Sequence, residues 1–204
     1  AEQGGFLKCI ELADKKSKKN GYFCPKQFAN SHNPLAHMLN TAPEVEKDLK
    51  TGGLNKIDAF ATGAGTGGTI MGFYQYFSEK NKHFQAFPVF PVNNSDGSHR
   101  IEGIGDSFVP EILSLDELGK MIKISDTDAI AVARILNNKG LSVGISSGAN
   151  VLAAVQKAYE LGKDKIVCTV LCDDNKKYLS TDLCSTSVEN LSCDLNLKEY
   201  KIIC

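Results

Sequence analysis

Residues 61–70 read ATGAGTGGTI and lie between an apolar stretch and a segment with the composition of a helix. Glycines let the backbone approach a ligand closely, and at the start of a helix that ligand is often an anion. Gly63, Gly65 and Gly68 follow the spacing G-x-G-x-x-G, which is typical of dinucleotide-binding turns. The stretch therefore predicts a strand–turn–helix unit that either binds a ligand at its turn or is only a tight connection.

Strands and helices alternate on both sides of this stretch. Apolar runs predict strands at 57–62, 84–92, 121–125 and 165–173, and periodic segments predict helices at 1–20, 35–49, 69–82, 125–138 and 150–162. Pro43 is expected to start a new turn or to kink its helix, Ser125 and Asp128 form a capping-box pattern, and two prolines place strand 84–92 near an edge or make it irregular. Such alternation predicts an α/β fold with a mostly parallel sheet, whose ligands bind at the carboxyl ends of the strands.

Composition excludes several classes of function. The chain has 204 residues, a formal net charge of −1 and 42% hydrophobic residues, so no broad attraction to nucleic acid or to an anionic membrane is expected. No apolar run approaches the roughly 20 residues of a membrane-spanning helix. The seven cysteines form no CxxC pair and accompany no histidine cluster, so no metal site is expected. Cys168 and Cys172 are interpreted as core thiols, and a reducing cytoplasm fits this cysteine usage.

A second glycine–serine turn favours a phosphate over a dinucleotide. The strand after the glycine loop ends without the carboxylate that a dinucleotide ribose requires, whereas Thr66 and Thr69 add hydroxyl groups to the loop. The stretch GISSGA at 144–149 places Ser146 and Ser147 at the same rim of the predicted sheet, although Ser147 could instead cap the next helix. Two such turns on one rim predict a single ligand held from both sides, with a terminal phosphate at the first turn.

Several blocks resemble one family. GAGTGGTI, HRIEGIGDSFVPEIL, VGISSGA, KYLST and PKQFANSHNP resemble the cysteine synthase (O-acetylserine sulfhydrylase) family of fold-type II enzymes that use pyridoxal 5'-phosphate (PLP). The resemblance implies a mostly parallel twisted sheet flanked by helices, with residues 1–20 as a remnant of a smaller N-terminal domain and 21–204 as the large PLP-binding domain. It also implies a homodimer.

The resemblance implies a role for each matching residue. The phosphate cup would be Gly65, Thr66, Gly67, Gly68 and Thr69. Ser146 would bond the pyridine nitrogen, Gln27 would bind the substrate carboxylate, and the backbone of Gly103 and Ile104 would face the substrate. A neutral hydroxyl at the ring nitrogen makes PLP a weaker electron sink than a carboxylate does, which suits loss of a β-substituent to give an aminoacrylate, followed by addition of a nucleophile.

Three features depart from the family pattern. The family's Schiff-base lysine and its substrate loop precede the matched region and have no counterpart in this sequence, so we expect the 204 residues to be the C-terminal part of a longer enzyme. The segment between Val92 and His99 is also shorter than the family's usual loop. Asp106 stands where the sulfhydrylases commonly have a small residue. It is either a solvated aspartate or a catalytic group that orients or deprotonates water or a thiol.

These features leave a ranked set of functions. The first is PLP-dependent β-replacement on a β-substituted alanine, with sulfide or a thiol as nucleophile, and cysteine synthase in particular. The second is a cysteine-consuming enzyme that releases hydrogen sulfide with the help of Asp106. A non-catalytic regulatory homologue comes third and a nicotinamide-dependent oxidoreductase last.

Overall fold

The chain was analysed as a computed structural model that describes residues 5–93, 98–105 and 108–185. Its α-helices are α1 (Gly5–Ser17), α2 (His32–Ala36), α3 (Ala42–Thr51), α4 (Gly68–Lys80), α5 (Asp126–Asn138) and α6 (Ile145–Leu161), and its strands are β1 (Ala59–Gly63), β2 (Gln85–Pro91), β3 (Ile122–Ile124) and β4 (Val167–Cys168). Short 3-10 helices span Leu115–Glu117, Asn175–Tyr178 and Asp182–Cys184. Within the described ranges, no helix is long and apolar enough to cross a membrane.

The strands form one parallel sheet in the order β3-β2-β1-β4, which confirms the predicted fold class. The chain runs from β1 through β2 to β3 on one side and then returns to place β4 on the other side of β1. The topological switch point therefore lies between β1 and β4. In sheets of this kind, ligands bind outside the carboxyl ends of the strands at that point.

Helices cover both faces of the sheet, which explains why β1 is apolar at successive positions. Ala59 and Ala61 belong to the core shared with α5 and α6, whereas Phe60 belongs to the core shared with α3 and α4. Phe60 stacks on Phe73 of α4 with ring centroids 4.0 Å apart. A strand buried on both faces is a rigid support for the loop that follows it.

The expectation that strand 84–92 lies at an edge is wrong, because β2 pairs with β1 on one side and β3 on the other. Both prolines of β2 lie at positions where no backbone N–H is needed for the hydrogen bonds between strands. Pro88 precedes the pairing with β3, which begins at Val89. Pro91 lies beyond the last paired residue of β1, where the Ala64 carbonyl accepts from the Gly105 N–H instead.

Several helix ends differ from the sequence expectations. Pro43 starts a new turn, one of the two expectations for it, because it lies in the first turn of α3, and a π-helical turn, His37–Thr41, precedes that helix. The capping box is confirmed, since the Ser125 hydroxyl accepts from the Asp128 N–H at 3.1 Å and donates to its carboxylate. Helix α6 begins at Ile145, five residues before the predicted start at Asn150. Both serines of GISSGA therefore lie in the first helical turn rather than in a loop.

The predicted strand 165–173 forms only a two-residue ladder, Val167–Cys168. Its continuation still contacts β1, because the Thr169 hydroxyl donates to the Ala61 carbonyl at 2.7 Å. Cys168 is half-buried and packs against the apolar core, and burial raises its pKa to about 11. Cys172 is not a core thiol as expected, because it is exposed and lines a cavity. The strand therefore ends at Cys168, and the segment after it forms part of a cavity wall.

Candidate cofactor site at the carboxyl end of the sheet

The glycine loop presents unbonded N–H groups at the start of α4. Gly67 has a φ of 88° and is the N-cap of the helix, with no side-chain cap. Within the described ranges, the N–H groups of Gly65, Thr66, Gly67 and Thr69 have no acceptor, whereas the Gly68 N–H donates to the Thr66 hydroxyl at 3.3 Å. Free donors at the positive end of a helix dipole form an anion site.

Two glycines of the loop are required by close backbone or side-chain approach. A Cβ at Gly65 would lie 2.2 Å from the Gly103 carbonyl oxygen, and one at Gly68 would lie 1.9 Å from Asn33 Oδ1. At Gly63, where the loop begins, an added Cβ would likewise lie 2.4 Å from the Ile104 side chain. The loop is therefore pressed between the segment around Gly103 and the residues before α2, and no side chain fills the space in front of its N–H groups.

A layer of polar residues behind the loop orients its hydroxyls. Asn33 Nδ2 donates to the Thr66 hydroxyl at 3.0 Å. His37 Nε2 lies 3.3 Å from the Thr69 hydroxyl, and its Nδ1 lies 3.1 Å from that of Thr41. Burial lowers the pKa of His37, so its ring is neutral at pH 7. Since π-helical turns are frequent at functional sites, the turn that carries His37 fits a supporting role.

Both serines of GISSGA contact Cys172, but only Ser146 lines the cavity. Ser146 is buried, with 6% of its surface exposed, and lines the cavity. Ser147 is fully buried and does not cap α6, because Gly144 is the N-cap. Its hydroxyl accepts from the Cys172 N–H at 3.0 Å. A Cβ at Gly148 would lie 2.1 Å from the Ala129 carbonyl oxygen, so this glycine permits the packing of α6 on α5.

A cavity of about 350 Å³ joins these parts at the switch point. Its walls are the glycine loop with the end of β1, residues 102–104, Ser146, and the segment after β4. In that last wall, Cys172 is exposed as a residue, but the protein atoms around its thiol partly desolvate it and raise its pKa, and the negative charge of Asp173 adds to the effect. Asp173 accepts from Lys177 at 3.2 Å and from the Tyr178 hydroxyl at 2.9 Å. The hydroxyl of Ser146 and the free N–H groups of the loop therefore open onto one cavity.

The predicted substrate residues are brought together only in part. Gly103 and Ile104 line the cavity, and their contact with a substrate stays a prediction. Gln27 is exposed and does not line it. Its carbonyl accepts from Asn33 Nδ2 at 2.9 Å, so one side chain links it to the loop. Lys26, beside it, has a φ of 50°, an unfavourable conformation for a residue with a side chain. The prediction for Asp106 lies outside the described residues.

The cavity fits a planar ligand with a phosphate at one end and a ring acceptor at the other. Free backbone donors and two threonine hydroxyls suit the phosphate, and the buried Ser146 hydroxyl can donate to a ring nitrogen. Glycine at 65 and 68 lets the loop pack closely against Gly103 and Asn33, and residues 65–69 line the cavity. These features of the structure match PLP.

Comparison with known proteins identifies the family. Residues 3–173 match the pyridoxal-phosphate dependent enzymes, and the chain belongs to this family. It is 43% identical over 167 residues to cysteine synthase B of Campylobacter jejuni, covering 79% of this chain and 54% of that protein. Cysteine synthase of Staphylococcus aureus is 36% identical over 183 residues, covering 86% of this chain and 58% of that protein.

A solved structure agrees with the sequence relatives. The chain superposes on a hydrogen sulfide-producing enzyme from Fusobacterium nucleatum with a TM-score of 0.85 and 41% identity, covering 92% of this chain and 59% of that one. The resemblance to the cysteine synthases and the expectation of PLP as cofactor are thereby confirmed. The chain spans little more than half the length of the curated relatives it matches.

Sequence reasoning missed several residues around the cavity. Asn33 and His37 support the loop hydroxyls, and Asn150 and Cys172 stand at the opposite wall. Asn33 lies within the block PKQFANSHNP and Asn150 directly follows GISSGA, so their place beside the motifs was a usable signal. No pattern in the sequence indicates that Cys172 opens to the cavity, because its apolar neighbours suggest a buried strand.

Proposed function

We propose that the protein is a PLP-dependent β-replacement enzyme that acts on a β-substituted L-alanine, and that its principal reaction converts O-acetylserine and sulfide to cysteine and acetate. The observation that carries the proposal is the cavity at the switch point, in which the unbonded N–H groups of the glycine loop and the buried Ser146 hydroxyl share one space. Two curated relatives that it matches are cysteine synthases.

The phosphate of the cofactor is proposed to lie in the cup formed by Gly65, Thr66, Gly67, Gly68 and Thr69. Each charge-assisted hydrogen bond from this cup contributes about 1.5–3 kcal/mol, so the cup supplies much of the binding free energy. Asn33 and His37 keep both threonine hydroxyls turned toward the loop. A fixed cup holds the ligand's other end at a constant distance from the opposite wall.

Ser146 is proposed to donate its hydroxyl proton to the pyridine nitrogen. When bound, PLP withdraws electrons from the substrate carbon atoms and so assists loss of the β-substituent. The neutral Ser146 hydroxyl leaves the ring nitrogen largely unprotonated, which limits that withdrawal and disfavours transamination. Gly103 and Ile104 are proposed to present backbone groups to the substrate, and Gln27 to bind its carboxylate after a movement of its exposed side chain.

A second candidate reaction is release of hydrogen sulfide from cysteine. The enzyme from Fusobacterium nucleatum, which covers 92% of this chain, is described as hydrogen sulfide-producing. For this chain, Asp106 is the proposed group that orients or deprotonates water or a thiol. Replacement of Asp106 by Ala in the full-length protein tests this role, and unchanged sulfide release from cysteine would exclude it.

Activity assays on the full-length protein separate the two reactions. With O-acetylserine and sulfide, cysteine synthase activity predicts cysteine and acetate in equal amounts. With cysteine alone, the second candidate predicts sulfide. No product under either condition, together with no visible absorption band from a bound cofactor, would contradict both and favour a non-catalytic homologue.

We further propose that the enzyme is a cytoplasmic homodimer without nucleic-acid or membrane partners, in which residues 21–204 form the large PLP-binding domain and residues 1–20 belong to a smaller domain. The net charge of −1 supports the absence of polyanionic partners. Sedimentation of the full-length protein tests the dimer, and a monomer at micromolar concentration would contradict it.

A further inference from the structure

Asn150 is fully buried where the walls of the cavity meet, and its side chain makes hydrogen bonds in two directions. Its Oδ1 accepts from the Gly63 N–H at 2.7 Å. Its Nδ2 donates to the Val170 carbonyl at 3.0 Å and lies 3.5 Å from Cys172 Sγ. Asn150 follows Ser146 by four residues on α6, so both side chains lie on the same face of the helix.

The partners of Asn150 belong to separate segments of the cavity wall. Gly63 ends β1 and begins the glycine loop, and Val170 follows β4. Helix α6 carries Ser146 itself. A second bond, from the Cys172 N–H to the Ser147 hydroxyl at 3.0 Å, joins α6 to the same segment after β4. The amide of Asn150 therefore connects Gly63, two residues before the phosphate cup, to helix α6 and to the segment after β4.

We infer that Asn150 is a positioning residue that sets the distance between the phosphate cup and Ser146. PLP must reach both at once, so a change in that distance costs one of the two contacts. An amide suits this place because it offers an acceptor to Gly63 and a donor to Val170, and a buried group that loses its partner is costly. The inference rests on the proposed placement of PLP between the cup and Ser146.

The first test compares PLP affinity in two matched variants of the full-length protein. Asn150→Ala removes the bonds at the cavity. Asn81→Ala removes bonds to the Ile57 carbonyl (3.2 Å) and the His83 N–H (3.0 Å) at the opposite end of the sheet. We expect the dissociation constant of PLP, measured by equilibrium dialysis, to rise about tenfold for Asn150→Ala, or about 1.4 kcal/mol, and less than twofold for Asn81→Ala. Equal changes, or a lower melting temperature with unchanged affinity in Asn150→Ala, would overturn the inference.

A second variant separates the acceptor from the donor and remains informative if Asn150→Ala does not fold. Asn150→Asp keeps the acceptor for Gly63, but as a carboxylate it repels the Val170 carbonyl. Burial favours the protonated carboxyl, which can donate to Val170. We expect PLP affinity relative to wild type to be about tenfold weaker at pH 8.5 and within about threefold at pH 5.5. A ratio that does not change with pH would contradict the donor role.

A double variant tests whether Asn150 acts through Ser146. We expect Asn150→Ala to weaken PLP binding less than threefold in a Ser146→Ala background, because the distance that Asn150 sets no longer serves a contact. Full additivity of the two losses would show that Asn150 is only structural. Wild-type affinity is measured in the same series, so failure of PLP to bind wild type would count against the proposed function rather than against the role of Asn150 alone.

Discussion

The two ends of β1 differ in whether their polar groups have hydrogen-bond partners. At the amino end, Asp58 is a buried carboxylate whose oxygens are all bonded: one accepts from the Ile166 N–H at 3.0 Å, and the other from Lys165 at 3.0 Å and Lys56 at 3.1 Å. At the carboxyl end, the N–H groups of residues 65–67 and Thr69 have no acceptor in the described part of the chain. The same strand supports a satisfied charge at one end and unsatisfied donors at the other.

Because of this difference, one end of β1 contributes mainly to stability and the other mainly to ligand binding. Residues 65, 66 and 69 are half-buried and line the cavity, so their unsatisfied donors mark the end where an outside group can bond to the protein. Asp58 needs nothing from outside. Changes at the amino end should therefore alter the free energy of unfolding and leave ligand affinity intact, while changes at the carboxyl end should do the reverse.

The largest effect on ligand affinity is expected from Gly65→Ala. The added Cβ would lie 2.2 Å from the Gly103 carbonyl oxygen, a backbone atom that cannot turn aside, so the loop must shift. Loss of two charge-assisted bonds to the phosphate would raise the dissociation constant of PLP about 100-fold or more. The matched control is Gly52→Ala, where the nearest neighbour of the new Cβ is 3.3 Å away. Similar affinities for the two variants would contradict the claim that the glycine loop binds the phosphate.

At the other end of β1, Asp58→Asn should reduce stability without changing PLP affinity. The lost charge-assisted bonds are expected to lower the free energy of unfolding by about 2 kcal/mol at pH 7, as measured by urea denaturation. Burial opposes ionisation of Asp58, but the bonds from Ile166 and the two lysines outweigh it and lower its pKa.

The loss of unfolding free energy in Asp58→Asn should depend on pH. Because the folded-state pKa of Asp58 is depressed, its stabilisation is complete above the unfolded-state pKa of about 3.9 and disappears as the pH falls through the lower folded-state value. The difference between wild type and Asp58→Asn should therefore shrink below pH 4. A difference that grows on acidification would contradict the assignment.

A moderate effect is expected at Cys172, where ligand binding can be followed by alkylation. Burial raises the pKa of this thiol, so alkylation by iodoacetamide should still accelerate above pH 9. Saturating PLP should slow the reaction about tenfold, because the thiol lines the cavity. Cys9, exposed on α1, is the internal control in the same mass spectra. Equal rates at Cys172 with and without PLP would place the cofactor elsewhere.

The smallest effect is expected from His37→Phe. The 3.3 Å contact with the Thr69 hydroxyl is a neutral hydrogen bond worth about 0.5–1.5 kcal/mol, so PLP affinity should fall about threefold. Since burial lowers the pKa of His37, this ratio should be constant between pH 7 and pH 8. His32→Phe, at an exposed residue bonded to Asn30, should leave affinity unchanged. A larger loss in the control would contradict the role of His37.

Local pattern predicted the elements, whereas tertiary pairing decided the details. The glycine loop, the Ser125 cap and the apolar β1 depend on neighbours in sequence and were read correctly. The prolines of β2 suggested an edge because the sequence does not show that β3 pairs only from Val89 onward. The early end of β4 and the exposure of Cys172 depend in the same way on contacts with distant residues.

Motifs in the sequence predict the residues of the candidate site, but they do not predict the residues that hold these in place. Gly65, Thr66 and Ser146 were found because their residue types carry the chemistry, and all of them line one cavity. Asn150 is separated from Gly63 by 87 residues, and only the topology of the sheet brings them together. The sequence therefore predicts which groups bind the cofactor, and the structure adds the hydrogen bonds that link the segments carrying those groups.

The most direct test of the cup is a comparison of PLP with pyridoxal, which has the same ring and aldehyde but no phosphate. Both dissociation constants should be measured on the full-length protein under the same conditions. If the N–H groups of the glycine loop bind the phosphate, pyridoxal should bind at least 100-fold more weakly than PLP, because several charge-assisted bonds are lost. Affinities within threefold of each other would contradict the central claim that the carboxyl end of β1 is a phosphate site.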